Sequence, residues 1–208
     1  MSGAKSFKAM PSNAFPPCDE LPDAVVEVDE MFQNAGEKGQ LHDDPNDPPR
    51  VRANKVRGHG TWDNDRPPVV GTIGRETGEV RVQVVSNTDA PSLERHVIET
   101  TCPGTIVNTD EWPAYSGLPR INRPRRTVCH GIREYARDDD GDGINEVHTN
   151  TIEGFWTGLR NFLRPFRGVN KVCLPRYVAF YAGLHNFKCA LADWLGLVLG
   201  RVVIPIGS

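Results

Sequence analysis

Apolar and polar positions alternate over residues 25–32, which predicts a half-buried strand. β-Branched residues dominate 69–74 and 80–85, and Arg75-Glu76-Thr77-Gly78-Glu79 between them predicts a hairpin loop. Asp89, followed by Pro91, marks a helix start, and that helix is expected to run to about Thr100. Residues 105–109 predict a fourth strand and 126–129 a short fifth. Further on, Ile152, Phe155, Trp156, Leu159, Phe162 and Leu163 recur at helical spacing, with Thr149 or Asn150 as the cap and Pro165 as the stop. The apolar stretch 190–206 is interrupted by Asp193, Arg201 and Pro205. It is too short and too broken to span a bilayer, and it predicts a packed terminal helix.

Between these elements the chain changes character. Residues 1–23 are polar and proline-bearing, and are expected to be disordered. Residues 33–68 are rich in Gly, Pro, Asn and Asp and read as a loop-rich insertion. The expected organisation is therefore one domain over 24–188, with a helical extension over 189–208. A chain of 208 residues has room for a proper core. No apolar segment at the start resembles a signal peptide. Five widely spaced cysteines, with no Cys-x-x-Cys pair, point to free thiols in a reducing cytoplasm and exclude a zinc ribbon within these residues. No membrane partner is expected.

The net charge of −3 conceals an uneven distribution. Residues 1–115 hold 11 Lys/Arg against 19 Asp/Glu, whereas residues 116–180 hold 11 against 7. The basic excess includes Arg120, Arg123, Arg125, Arg126, Arg160, Arg164, Arg167, Lys171 and Arg176. Such a cluster is either a footprint for phosphate or a solvated surface.

Three acidic stretches carry the candidate chemistry. Val26-Glu27-Val28-Asp29-Glu30 and Val107-Asn108-Thr109-Asp110-Glu111-Trp112 each end a β-branched run in a pair of acids. Side chains alternate along a strand, so one acid of each pair faces a given side. The third stretch, His148-Thr149-Asn150-Thr151-Ile152-Glu153-Gly154-Phe155-Trp156, puts Glu153 in the first turn of the amphipathic helix. Taken alone, Glu153 is also what the helix dipole favours on any solvated helix start. Carboxylates are the hard oxygen ligands that Mg²⁺ and Mn²⁺ prefer, and Asp, Asp, Glu in this order suits a two-metal phosphodiester-cutting centre. Glu153, Thr157, Arg160 and Arg164 lie on one stripe flanking the apolar face.

The stretches Asp110-Glu111-Trp112-Pro113-Ala114-Tyr115 and His148 to Trp156 resemble the catalytic domain of bacterial insertion-sequence transposases of the Asp-Asp-Glu class, of the ISXO type. The resemblance covers roughly residues 25–186. It implies an α/β, ribonuclease H-like mixed sheet with flanking helices, in which the first and fourth strands are neighbours. It implies that Asp29, Asp110 and Glu153 are the catalytic triad and hold two Mg²⁺ or Mn²⁺ ions. It places Arg160, seven residues after the glutamate, on DNA phosphate, with Arg164 on the same stripe, and it marks His130 as a further DNA-binding candidate. The implied activity is metal-dependent cleavage at the element's ends, followed by attack of the freed 3′ hydroxyl on target DNA. The implied partners are DNA and further copies of the chain assembled on it. The zinc ribbon typical of the family does not occur in this sequence. A second reading is a truncated, inactive relic that only binds nucleic acid or a partner.

One motif points elsewhere. Asp138, Asp140 and Asp142, with Gly143, imitate the start of a calcium loop. Thr149 stands where the bidentate glutamate belongs, and a hydrated acidic loop is the expected structure.

Overall fold

A computed structural model describes residues 20–39, 41, 45–46, 59–129, 131, 134, 136–139, 141–143 and 145–199; within 190–199 only the side chain of Leu191 is described. His130, Asp140, most of the 40–58 stretch and both chain ends lie outside the described residues.

Five strands form one sheet: β1 (Val25–Phe32), β2 (Pro68–Gly74), β3 (Val80–Val84), β4 (Ile106–Thr109) and β5 (Arg125–Thr127), in the order β3-β2-β1-β4-β5. The first three pair antiparallel, while β4 runs parallel to β1 and β5 parallel to β4. This is the ribonuclease H-like arrangement, and it makes β1 and β4 neighbours although Val26 and its register partner Val107 lie far apart in sequence. Parallel pairing needs a crossover. Helix α1 (Ala90–Thr100) provides it on one face of the sheet.

The alternation in β1 sorts its side chains between two cores. Val26 and Val28 pack with Val70, Val107, Leu93 and Val97 on the α1 side. Met31 packs with Val69 and Ile73 against helices α2 (Asn150–Leu163) and α3 (Leu174–Leu199) on the other. Ile152, Phe155, Trp156, Leu159 and Leu163 are the buried stripe of α2, as its spacing predicts. Asp89 caps α1 by accepting from the Ser92 N–H at 3.0 Å, with proline in the first turn.

Three features depart from the sequence expectations. The segment after β5 contains a two-stranded hairpin, β6 (Ala136–Arg137) and β7 (Val147–His148), which brackets the acidic loop. Two residues per strand are too few for a periodic signal. In that loop the Asp138 carboxylate accepts the Gly141 and Gly143 N–H groups. Secondly, Thr149 sits at the cap of α2 but makes no capping bond with its side chain. Thirdly, the terminal helix begins at Leu174, well ahead of the expected extension over 189–208, and runs to Leu199. Its early turns bear Val178 and Ala182 on the core and Phe180, Leu184 and Phe187 on the outside, which blurs the one-sided pattern. The Asn186 side chain pairs with both backbone groups of Val80 at the outer edge of β3, accepting from its N–H (2.8 Å) and donating to its carbonyl (3.0 Å). No helix among the described residues is long and apolar enough to cross a membrane. Cys102, Cys129, Cys173 and Cys189 are free thiols.

Candidate active site

Glu27, Asp29 and Met31 point to the α2 side of the sheet, so Glu30 points away. The Tyr115 hydroxyl donates to Glu30 at 2.6 Å, and burial lifts the Glu30 carboxyl to about 7. Of the first pair of acids, Asp29 is therefore the one that faces the helix bearing Glu153.

Asp29 is held from that helix. Trp156 Nε1 donates to Asp29 Oδ2 at 2.9 Å. The indole reaches it because Gly71, the residue opposite Asp29 on β2, has no side chain. A Cβ at Gly71 would stand 2.7 Å from the Trp156 ring and 3.1 Å from Ile152. Glycine is required here by the close approach of the ring.

Asp110 follows β4, which lies beside β1. Its Oδ1 accepts the Trp112 N–H at 2.9 Å, a turn that fixes the carboxylate at the strand's carboxyl end. Arg125 braces the same backbone. Its Nη2 donates to the carbonyls of Asp110 (2.7 Å) and Trp112 (3.1 Å), and its Nε donates to the Thr109 hydroxyl (2.9 Å). Glu111, the other acid of the pair, is exposed and accepts the Gly131 N–H at 3.1 Å. Glu153 is exposed in the first turn of α2, with Oε1 3.4 Å from the Thr149 hydroxyl.

The electrostatics link the three acids. Burial raises the Asp29 carboxyl from 3.8 to about 6, and the negative charges of Asp110 and Glu153 push the same way. Hydrogen bonds from the Glu30 backbone and from Trp156 oppose the rise, and no cationic side chain is among the groups acting on it. The charges of Asp110 and Glu153 thus bear on Asp29, and all three groups offer hard oxygen donors. Among the described residues no cluster of three His, Cys, Asp or Glu side chains is gathered closely enough to hold an ion as the side chains stand.

Arg160 on α2 and Arg164 just past its end are both exposed, with no ion pair among the described residues. His130 lies outside the described residues. Apart from the half-buried Arg126, the basic cluster divides in two. Arg123 is buried and bonds to Thr101 and the Ile121 carbonyl, Arg125 braces Asp110, and Lys171 pairs with Asp65 at 3.1 Å. These three serve the fold, whereas Arg120, Arg160, Arg164, Arg167 and Arg176 remain exposed.

The family model of the ISXO2-like transposase domain matches residues 22–189. The chain belongs to this family. An uncharacterized protein in transposable element ISH50 of Halobacterium salinarum is 33% identical over 154 residues, which are 74% of this chain and 49% of that protein. This transposase-family chain therefore spans about half the length of the curated relative it matches. Among solved structures, the catalytic core of BIV integrase aligns with 77% of this chain and 81% of its own, at 10% identity and a TM-score of 0.43. The HTLV-2 integrase catalytic core in complex with magnesium (dimeric form) aligns with 81% of this chain and 86% of its own, at 9% identity and a TM-score of 0.42. The Mos1 mariner paired-end complex with Mn aligns with 82% and 55%, at 14% identity and a TM-score of 0.31.

The residues that sequence reasoning missed in this transposase domain are supporting ones: Gly71, Trp156, Arg125 and the buried acid Glu27, with its partners Arg75 and His148. Trp156 falls in the apolar stripe, where its polar edge gives no signal. Glu27 did carry one. A charged residue two positions from Asp29 must share its face of the strand.

Proposed function

We propose that this domain cuts and rejoins DNA phosphodiesters in the transposition of an insertion sequence, with Asp29, Asp110 and Glu153 holding two Mg²⁺ or Mn²⁺ ions. The observation that carries the reading is the Asp29 carboxyl, which burial raises to about 6 while the charges of Asp110 and Glu153 push the same way. Hard divalent ions bind such carboxylates through their oxygens and favour the charged form. Such ions, when bound, activate the attacking oxygen and stabilise the leaving one.

The chain's own residues set up this chemistry. Trp156 and Gly71 fix the orientation of Asp29, Arg125 and the Trp112 N–H fix Asp110, and the first turn of α2 presents Glu153. Arg160 on α2 and Arg164 just past its end are exposed, and they are the side chains that meet DNA phosphate in this reading. The substrates are the element's ends and target DNA, and the assembly on DNA contains further copies of the chain.

Cleavage and strand transfer on end-like DNA with Mn²⁺ test the reading. Asp110→Asn keeps the ligand's shape and removes its charge, and activity is expected to fall by orders of magnitude. A wild-type protein that binds DNA and never cuts it identifies the chain as a binding-only relic and defeats the proposal.

A further inference from the structure

Glu27 is fully buried, and its carboxylate ends against the first turn of α2. Oε2 accepts the backbone N–H groups of Thr151 (2.8 Å) and Ile152 (3.0 Å). Oε1 accepts the Thr151 hydroxyl (2.8 Å) and Arg75 Nη1 (2.9 Å). His148 Nδ1 lies 3.2 Å from the same oxygen and 3.3 Å from Arg75 Nη1, and it accepts the Asn150 N–H at 3.3 Å. The first N–H groups of a helix have no partner within it, and a neighbouring Ser, Thr, Asp or Asn normally supplies one. Here the cap comes from a strand 124 residues away.

That choice has a geometric result. A local cap stabilises a helix wherever the helix sits, whereas a cap from β1 ties α2 to one place on the sheet. Glu27 and Asp29 share a face of β1 about 7 Å apart. α2 meets this face twice, through Thr151 and Ile152 on Glu27 and through Trp156 on Asp29. Glu153 lies between the two anchor points. A carboxylate offers about four acceptor sites, and those of Glu27 are taken, so it has none to give an ion. Stability alone is a weak reason for a buried ion pair, since an apolar replacement of similar volume often does as well.

We propose that Glu27 is a positioning residue: it clamps the first turn of α2 to β1 and so sets the placement of Glu153 relative to Asp29. Arg75 compensates its charge, and His148 closes the network toward β7. The inference rests on the reading of Asp29, Asp110 and Glu153 as metal ligands.

Three variants test it on the full chain. Glu27→Gln keeps the shape and turns one acceptor into a donor facing donors. Thr151→Val removes a single clamp bond from an exposed residue, and it carries the test alone should Glu27→Gln fail to fold. Leu93→Ala, on the α1 side of the sheet, lowers stability away from the site. In metal-free protein, amide exchange at Thr151 and Ile152 is expected to quicken about tenfold or more in the two clamp variants and not in Leu93→Ala. Mn²⁺ affinity by calorimetry, read well below each melting temperature, is expected to weaken about tenfold in Glu27→Gln and less in Thr151→Val. Leu93→Ala should bind Mn²⁺ as the wild type does. Clamp variants that bind Mn²⁺ with wild-type affinity overturn the inference, and so does an equal loss in Leu93→Ala. A wild-type protein that does not bind Mn²⁺ overturns the reading of the three acids, and this inference with it.

Discussion

Replacing Asp29 by asparagine is expected to make the metal-free protein more stable at neutral pH while destroying its activity. Burial, with Asp110 and Glu153 nearby, raises the Asp29 carboxyl from 3.8 to about 6. Below pH 4 the group is protonated in both the folded and unfolded chain and costs nothing. Between about 4 and 6 the folded state binds the proton and the unfolded state has lost it, so stability falls as pH rises, then levels off. A rise of about two pH units corresponds to about 3 kcal/mol. Asp29 keeps some contact with solvent, so that figure is a ceiling and about 1–2 kcal/mol is the expected gain. Asparagine has no charge to desolvate, and its oxygen still accepts from Trp156. Urea denaturation with EDTA, from pH 4 to 7.5, measures the difference between variant and wild type. His96, which burial holds down to about 4, acts in the opposite sense as pH falls below 6.5, and it cancels in that difference. The advantage of Asp29→Asn should grow from near zero at pH 4 to its full value above pH 6. Added Mn²⁺ should stabilise the wild type and not the variant. A variant less stable at pH 7, or a difference independent of pH, would refute the argument.

Two further outcomes follow from the geometry. Gly71→Ala puts a methyl group 2.7 Å from the Trp156 ring, so overpacking should cost about 1–3 kcal/mol in urea denaturation. It should also reduce cleavage by displacing the donor to Asp29, and an unchanged stability would show that the helix yields freely. Arg160→Ala should reduce the salt slope of DNA binding by about one unit, with little change in melting temperature. An unchanged slope with a large loss of stability would make Arg160 a structural residue.

The strands were legible wherever one chain segment contains its own signal. Alternation in Val25–Phe32 and the Asp89 cap with its following proline place β1 and the start of α1 correctly. The same alternation separates Asp29 from Glu30, which lies on the other face against Tyr115. What escaped was supplied from a distance. The cap of α2 belongs to β1, and the space for Trp156 belongs to β2, so neither is visible within the sequence of the helix. Arg123, Arg125 and Lys171 look like Arg160 in a count of charges. Only their partners at Thr101, Asp110 and Asp65 separate them from the exposed arginines.

The Asn186 side chain at the outer edge of β3 bears on what happens when many copies of this chain are crowded together. An edge strand offers unpaired N–H and C=O groups to any neighbouring strand, which is how sheets grow from one molecule into the next. One carboxamide satisfies both groups of Val80 and thus acts as a single residue of a missing sixth strand. His185 adds a ring-nitrogen bond to the Gly78 carbonyl at 3.0 Å, just before that point. The helix that lines the back of the domain therefore also terminates the sheet. A strand from a neighbouring molecule that sought to add there would first have to displace these side chains.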